Sequence, residues 1–192
     1  MKVIFYDLET TGFRPCGIMQ ICMIGIDIET NEPLEFRTFV NPGTIPISSR
    51  VPHNLTLEDV REAPAFEAIS DDLVQFIDQS ILVGFNNHTF DDLVLQDAFG
   101  NEINDLIYSS HDILPLVGGI SQNRALQDSG LMNPNAHNAD FDVWSLIALV
   151  ETLGEDLDLP EECKRAARLL IPSIGIEQFR IPTIDDIPII FP

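Results

Sequence analysis

Three β-rich runs open the chain, and they limit what it can fold into. KVIFYDL at 2–8 is β-branched and aromatic. GIMQICMIGIDI at 17–28 is long and apolar, and LEFRTFV at 34–40 follows it across an ETNEP turn. The spacers are short, so the three runs predict an antiparallel meander. NPGTIPISS then reads as a Pro- and Ser-rich loop. From Thr56 the period changes. Thr56 with Glu58 and Asp59 predicts a short helix, and Pro64 the first turn of the next, in which Phe66, Ile69, Leu73, Phe76 and Ile77 fall at helical spacing. ILVGF at 81–85 is apolar throughout, as expected of a strand buried on both faces. A helix is expected over 91–99, then a short strand at LIYSS and a helix beginning near Asp112. Residues 138–153 predict a longer helix with Phe141, Trp144, Ile147 and Ala148 on one face and Gly154 just past its end. A helix around 160–170 and an extended Pro- and Ile-rich tail complete the chain. The order predicts an α/β fold, a mixed sheet with helices on both faces.

A chain of 192 residues, 45% apolar, suffices for one domain with a sizeable core. Charged residues, Asn or Pro interrupt each apolar run before membrane-spanning length, so no membrane is expected. The opening MKVIFYDLETTG lacks a small-residue cleavage site and reads as a strand, not a leader. Cys16, Cys22 and Cys163 are odd in number and show no CxxC spacing, which argues against a disulfide framework or zinc site and for a reducing cytoplasm. The 31 acids against 10 Lys and Arg give a formal charge of −21. No large basic patch is possible on such a surface, so a weak, distributive grip on any polyanion is expected.

A few of those acids sit at special spacings. Asp7 and Glu9 are two apart at the end of the first strand, which places both carboxylates on one face. Two converging carboxylates suit a hard cation such as Mg²⁺ or Mn²⁺. Thr10, Thr11 and Gly12 follow as a tight turn.

VIFYDLETTG resembles the first motif of the DEDD exonuclease superfamily. LVGFNNHTFDDLVL resembles its second motif, with Asn four residues before the acid of a Phe-Asp pair, and NAHNADFDVWSLIAL its third, His-x₄-Asp, the mark of the histidine-bearing DEDDh branch. FVNPGTIPISSRVPHNLTLEDVREAPAF resembles the loop-and-helix segment between them. FNNHTFDDLVLQDAF and AHNADFDV are similar in particular to the exonuclease domain of bacterial exodeoxyribonuclease I. The resemblance covers roughly 2–153 and implies an RNase-H-like fold with a five-stranded sheet, antiparallel meander plus parallel strands. It places an exonuclease domain at 1–153 and leaves 154–192 as an extension that packs on the domain or docks a protein partner.

The same resemblance implies four metal-binding acids, Asp7, Glu9, Asp91 and Asp142, with His137 in the place of the general base. The implied activity is 3′→5′ hydrolysis of single-stranded nucleic acid, DNA favoured, to 5′-mononucleotides with two Mg²⁺ or Mn²⁺ ions. An exoribonuclease acting on short RNA and a non-catalytic recruitment domain are the alternatives. Two cations flanking a phosphodiester supply an acidified water, neutralised phosphate charge and a stabilised leaving oxygen, which explains why acids gather at one place. Near the terminal nucleotide, the turn at Thr10, Thr11 and Gly12 would offer N–H groups and a hydroxyl. Leu8, Phe13 and Leu55 would offer apolar contact, and Asn87 a polar one. Asp92 is read as a helix-start acid, Asp112 as a cap, and His53, His88 and His111 as surface or cap residues. Lys164, Arg165 and Arg168 form the one cationic cluster, a candidate for holding the strand upstream.

Overall fold

The computed structural model describes residues 1–100, 102–174 and 179. The meander is present as β1 (Lys2–Thr10), β2 (Ile18–Asp27) and β3 (Glu32–Phe39). β4 (Ser80–Gly84) lies parallel to β1 on its free side, and β5 (Ser109–Asp112) parallel to β4, giving the order β3-β2-β1-β4-β5. The helices are α1 (Phe66–Ile77), α2 (Asp91–Phe99), the single turns α3 (Ile103–Leu106) and α4 (Ile113–Leu116), then α5 (Gln122–Asp128), α6 (Ala139–Leu153) and α7 (Glu161–Ile174).

Alternation along β1 builds two cores. Val3 and Phe5 join Cys22, Ile24 and Val83 under α6 and α7, whereas Ile4, Tyr6 and Leu8 join Met23 and Leu82 under α1 and α2. Burying each of these larger apolar side chains contributes roughly 1.5–3 kcal/mol. β1 pairs with β4 only as far as Phe5 with Val83, while its pairing with β2 continues to Thr10. The last five residues of β1 therefore border a gap beyond the carboxyl end of β4, where open α/β sheets bind ligands. In β2, Glu9 faces Gln20 and Thr10 faces Ile18, so Met19 is an extra residue that bends the strand there.

Several expectations need correction. Residues 57–62 form successive turns instead of a short helix. Asp59 accepts from both the backbone N–H (2.8 Å) and hydroxyl (2.7 Å) of Thr56, closing a local ring, and the next bonds run i to i+3. Pro64 precedes the capping residue Ala65 instead of opening α1. LIYSS is strand only from Ser109, because Leu106 ends α3. Asp112 does cap α4, accepting from the Leu114 N–H at 2.9 Å. α6 is buried nearly all round, with Val143 and 145–150 inside and Phe141 and Trp144 only half-buried, because sheet, α5 and α7 cover different sides. α7 brings Cys163, Ala166, Ala167 and Leu170 into the same core, so the part of 154–192 up to Ile174 packs on the domain. The Pro- and Ile-rich tail lies outside the described residues.

Asp92 does more than face a helix dipole. It accepts from the Tyr6 hydroxyl, from Ser110 Oγ at 2.9 Å and from Asn87 Nδ2 at 3.2 Å, tying α2 to β1, β5 and the turn after β4. Removing the acceptor strands three donors, partly offset by relief of its repulsion with Asp91. Asp92→Ala is expected to lower unfolding free energy by about 2 kcal/mol, read as a shifted urea midpoint; an unshifted midpoint would show that the network adds nothing.

Candidate active site

Asp7 and Glu9 continue the Val3–Phe5 face of β1 into the gap, toward the start of α6. Gln20 fixes that start. Its Oε1 accepts from the Ala139 N–H at 3.4 Å and its Nε2 donates to Asp140 at 3.2 Å, while Arg37 pairs with Asp140 from β3 at 3.4 Å. Asp142 is thereby carried over β1. Its two oxygens accept from Asn133 Nδ2 at 2.5 Å and from the His137 N–H at 2.9 Å. Asp7, Glu9 and Asp142 each present a carboxylate oxygen, and these lie within 4.8 Å of one another. Asp91 enters from the other side as the first residue of α2, buried and accepting from the Leu8 N–H, and it shares a cleft wall with Asp7 and Asp142. Its Oδ1 is buried without a protein donor.

This crowding makes ionisation costly. Burial pushes Glu9 up to about 8, helped by Asp142 and Asp91. Burial lifts Asp91 to about 7, against two backbone donors that favour its charge. Burial likewise lifts Asp142 to about 6. Asp7 is raised well above the usual range by burial and then by Asp91, Asp142 and Glu9. A set of oxygen donors that resists ionisation alone, with a buried Oδ1 that no protein group satisfies, fits hard divalent cations.

His137 is exposed at the cleft, with φ 66 in the left-handed region. Such a conformation in a non-glycine residue is held by its surroundings, here by the bond from its N–H to Asp142. Its ring is left free to turn toward the cleft.

The sequence-predicted contact residues divide. Leu8, Thr10 and Gly12 line the cleft, with Leu8 also packed in the α1/α2 core. Thr11 is buried, and its hydroxyl and backbone clasp Gly17 at 2.9 and 2.8 Å. Leu55 is half-buried outside the cleft lining. Asn87 is fully buried with its amide spent on Asp92 and Ser110, a turn-stabilising placement away from the cleft surface. Gly84 must be glycine there, since a Cβ would sit 2.6 Å from that of Asn87. Asn86, at φ 65, is the residue that reaches the cleft.

His53, read from the sequence as a surface or cap residue, is buried. Its Nδ1 accepts from the Leu55 N–H at 3.2 Å, so Nε2 carries the proton it donates to the Thr10 carbonyl at 2.7 Å. Ser48 N–H donates to the Thr11 carbonyl at 2.7 Å, so the loop before α1 clamps the turn after Glu9 at two points. His53 opens the His-Asn-Leu-Thr run of the loop-and-helix segment that carries part of the resemblance, but nothing local shows that its ring turns inward to Thr10; a Gln inside the apolar run of β2 is the corresponding signal for Gln20. The two arginines of the 164–168 cluster lie away from the cleft. Arg165 bonds Asn31 in the β2–β3 turn, at the opposite end of the sheet from Glu9, and Arg168 pairs with Glu155 and Glu161.

The RNase_T family model, described as Exonuclease, matches residues 4–150. The chain belongs to this exonuclease family. The DNA polymerase III subunit epsilon of Rickettsia felis is 33% identical over 95 residues, 47% of this chain and 41% of that protein. E. coli exonuclease I in complex with a dA16 oligonucleotide superposes with a TM-score of 0.56 at 22% identity, over 79% of this chain and 41% of that one. Its zinc-bound form with single-stranded DNA gives 0.59 at 22%, over 80% and 41%. The chain thus spans about two fifths of the length of these relatives, and it shares their RNase-H-like exonuclease fold.

The raised acids set the pH dependence of stability. Their folded values lie above the unfolded ones, so their stabilising contribution is complete below about pH 4 and is lost as pH rises through about 6, 7 and 8. Asp27, Asp59 and Asp97, outside the cleft, are lowered and oppose this only at the acid end. In chelator-treated buffer, the melting temperature is expected to fall between about pH 5 and pH 9, with Mg²⁺ raising it most at the alkaline end. A melting temperature that climbs over this range without metal would contradict the crowding.

Proposed function

We propose that the chain is a 3′→5′ exonuclease that hydrolyses single-stranded nucleic acid, DNA favoured, to 5′-mononucleotides with two Mg²⁺ or Mn²⁺ ions. The observation that carries this is the gathering of Asp7, Glu9 and Asp142 oxygens within 4.8 Å beside a buried Asp91 whose Oδ1 has no protein donor. Asp7, Glu9, Asp91 and Asp142 would hold the cations, which supply charge neutralisation at the phosphate and favour both the attacking water and the leaving oxygen.

The chain's own part is to hold groups and to move one proton. The reaction adds a water oxygen to phosphorus and breaks the bond from phosphorus to the penultimate O3′, and that oxygen leaves with a proton. His137 takes the proton of the attacking water, a role that suits an imidazole near neutral pH. Asp142 holds His137 in place through its backbone N–H instead of its ring. The ring therefore stays free to meet the water when substrate is present. Phe13, 70% exposed at the cleft mouth, presents an aromatic face to the terminal base. DNA is favoured because the exonuclease I that shares the fold binds a dA16 oligonucleotide.

The test is a timed digest of single- and double-stranded DNA and RNA in Mg²⁺, Mn²⁺ and chelator. A 5′ label is expected to give a descending ladder in metal only. Immediate release of a labelled mononucleotide would mean the opposite polarity, and faster loss of matched RNA would make the enzyme an exoribonuclease. Asp7→Asn is expected to abolish cleavage while the fold persists, since it relieves like-charge repulsion; cleavage at the wild-type rate would remove Asp7 from the site. His137→Ala is expected to slow cleavage by roughly 10²–10⁴-fold at neutral pH with partial recovery at higher pH. An unchanged rate and pH profile would leave His137 a loop residue.

A further inference from the structure

Among the described residues the cleft has one arginine on its rim, Arg50; of the other described arginines all but Arg165, which bonds Asn31, are paired with an acid. Arg14 forks onto Asp97 with two bonds of 2.6 Å, Arg37 pairs with Glu35 and Asp140, Arg61 with Glu58 and Glu62, Arg124 with Asp128, and Arg168 with Glu155 and Glu161. With 31 acids in the chain, an arginine finds a carboxylate readily. Among the described residues, the Arg50 guanidinium forms no ion pair with an acid. It lines the cleft with Asp7, Glu9, Phe13 and His137. Its backbone is not loose. Its N–H donates to Ser48 Oγ at 3.2 Å, and the loop is pinned on either side by Ser48 to Thr11 and His53 to Thr10. The side chain thus starts from a fixed point on the loop that clamps the turn after Glu9.

We infer that Arg50 is a substrate-positioning residue that takes the phosphodiester next to the scissile one, so that the site engages a strand in preference to a lone nucleotide ester. This rests on the exonuclease reading above. A guanidinium offers several N–H donors in a planar fork that matches phosphate oxygens and cannot lose its charge. The scissile phosphate belongs to the acids and their cations, and a strand with a free 3′ hydroxyl carries no terminal phosphate. The neighbouring phosphodiester is the anion left for Arg50. In a chain of formal charge −21 that repels a polyanion, one such contact at the mouth has a large relative effect on strand capture.

The experiment compares wild type, Arg50→Gln and Arg50→Lys on two substrates in Mn²⁺. One is a single-stranded oligonucleotide. The other is the p-nitrophenyl ester of thymidine 5′-monophosphate, which has a scissile phosphate and no neighbour. The ratio of oligonucleotide to ester kcat/KM is expected to fall about tenfold in Arg50→Gln, with partial recovery in Arg50→Lys. The salt slope for the oligonucleotide is expected to shrink by about 0.7. An oligonucleotide with a neutral methylphosphonate at the neighbouring linkage is expected to cost wild type a similar factor and Arg50→Gln nothing further, the non-additivity of a shared contact. An unchanged ratio, or full additivity of the two losses, overturns the role of Arg50. Cleavage of neither substrate by wild type overturns the exonuclease reading instead.

Discussion

Burial of four neighbouring carboxylates, with the repulsion it sharpens, is the constraint on which the rest of this structure depends. Left to itself, a cleft holding Asp7, Glu9, Asp91 and Asp142 would spread apart, because each buried charge raises the cost of the next. Three separate elements are held against that force. β1 is held by the ladder with β2. The start of α6 is fastened by Gln20 and Arg37 through the helix's own first turn. α2 is anchored through Asp92 to Tyr6 and Ser110. None of these fasteners lies in the cleft itself. Each places an element and spends no hydrogen bond on the Asp7 and Glu9 carboxylates, the economy expected where stability gives way to function.

Much of this was legible in the linear chain. The meander could be read because β1, β2 and β3 are local pairings with short spacers. The start of α2 at Asp91 and the span of α6 could be read because acid, helical period and a trailing glycine agree at each. The pairing of Asp7 with Glu9 could be read from period two on a strand, whereas Asp91 and Asp142 were named through the motif resemblance, and the structure brings all four to one cleft. What escaped depends on contacts that no local pattern encodes. His53 reaches Thr10 across 43 residues, and Gln20 reaches Ala139 across 119. The exchange of Asn86 for Asn87 at the cleft turns on one left-handed residue, which reverses which side chain points inward. The turns over 57–62 defeated a helical pattern because Asp59 offered Thr56 a nearer partner. The cationic cluster on α7 looked useful by composition alone, and only the path of the β2–β3 turn shows that it faces away.

Membrane attachment through a spanning helix has no support in the structure: among the described residues no helix is long and apolar enough to cross a membrane. The cysteines are free, with Cys22 and Cys163 buried in the core beneath α6 and their thiols pushed up by burial, so they act as small apolar groups.

α6 is a rod with two unlike ends. Its first turn carries Asp142 in the cleft, and its last two turns are locked among Leu157, Cys163 and Leu170. Fifteen residues make it about 22 Å long, so a swing of about 3° at the packed end displaces the acid by about 1 Å. Misplacement on that scale is enough to cost about a hundredfold in rate. Ala166 and Ala167 of α7 belong to the same core, so the packing at the far end of the rod and the Gln20 fastening at its start together decide where the Asp142 carboxylate sits. The position of an acid at the sheet's edge is thus a matter of packing in the core as well as of the bonds beside it.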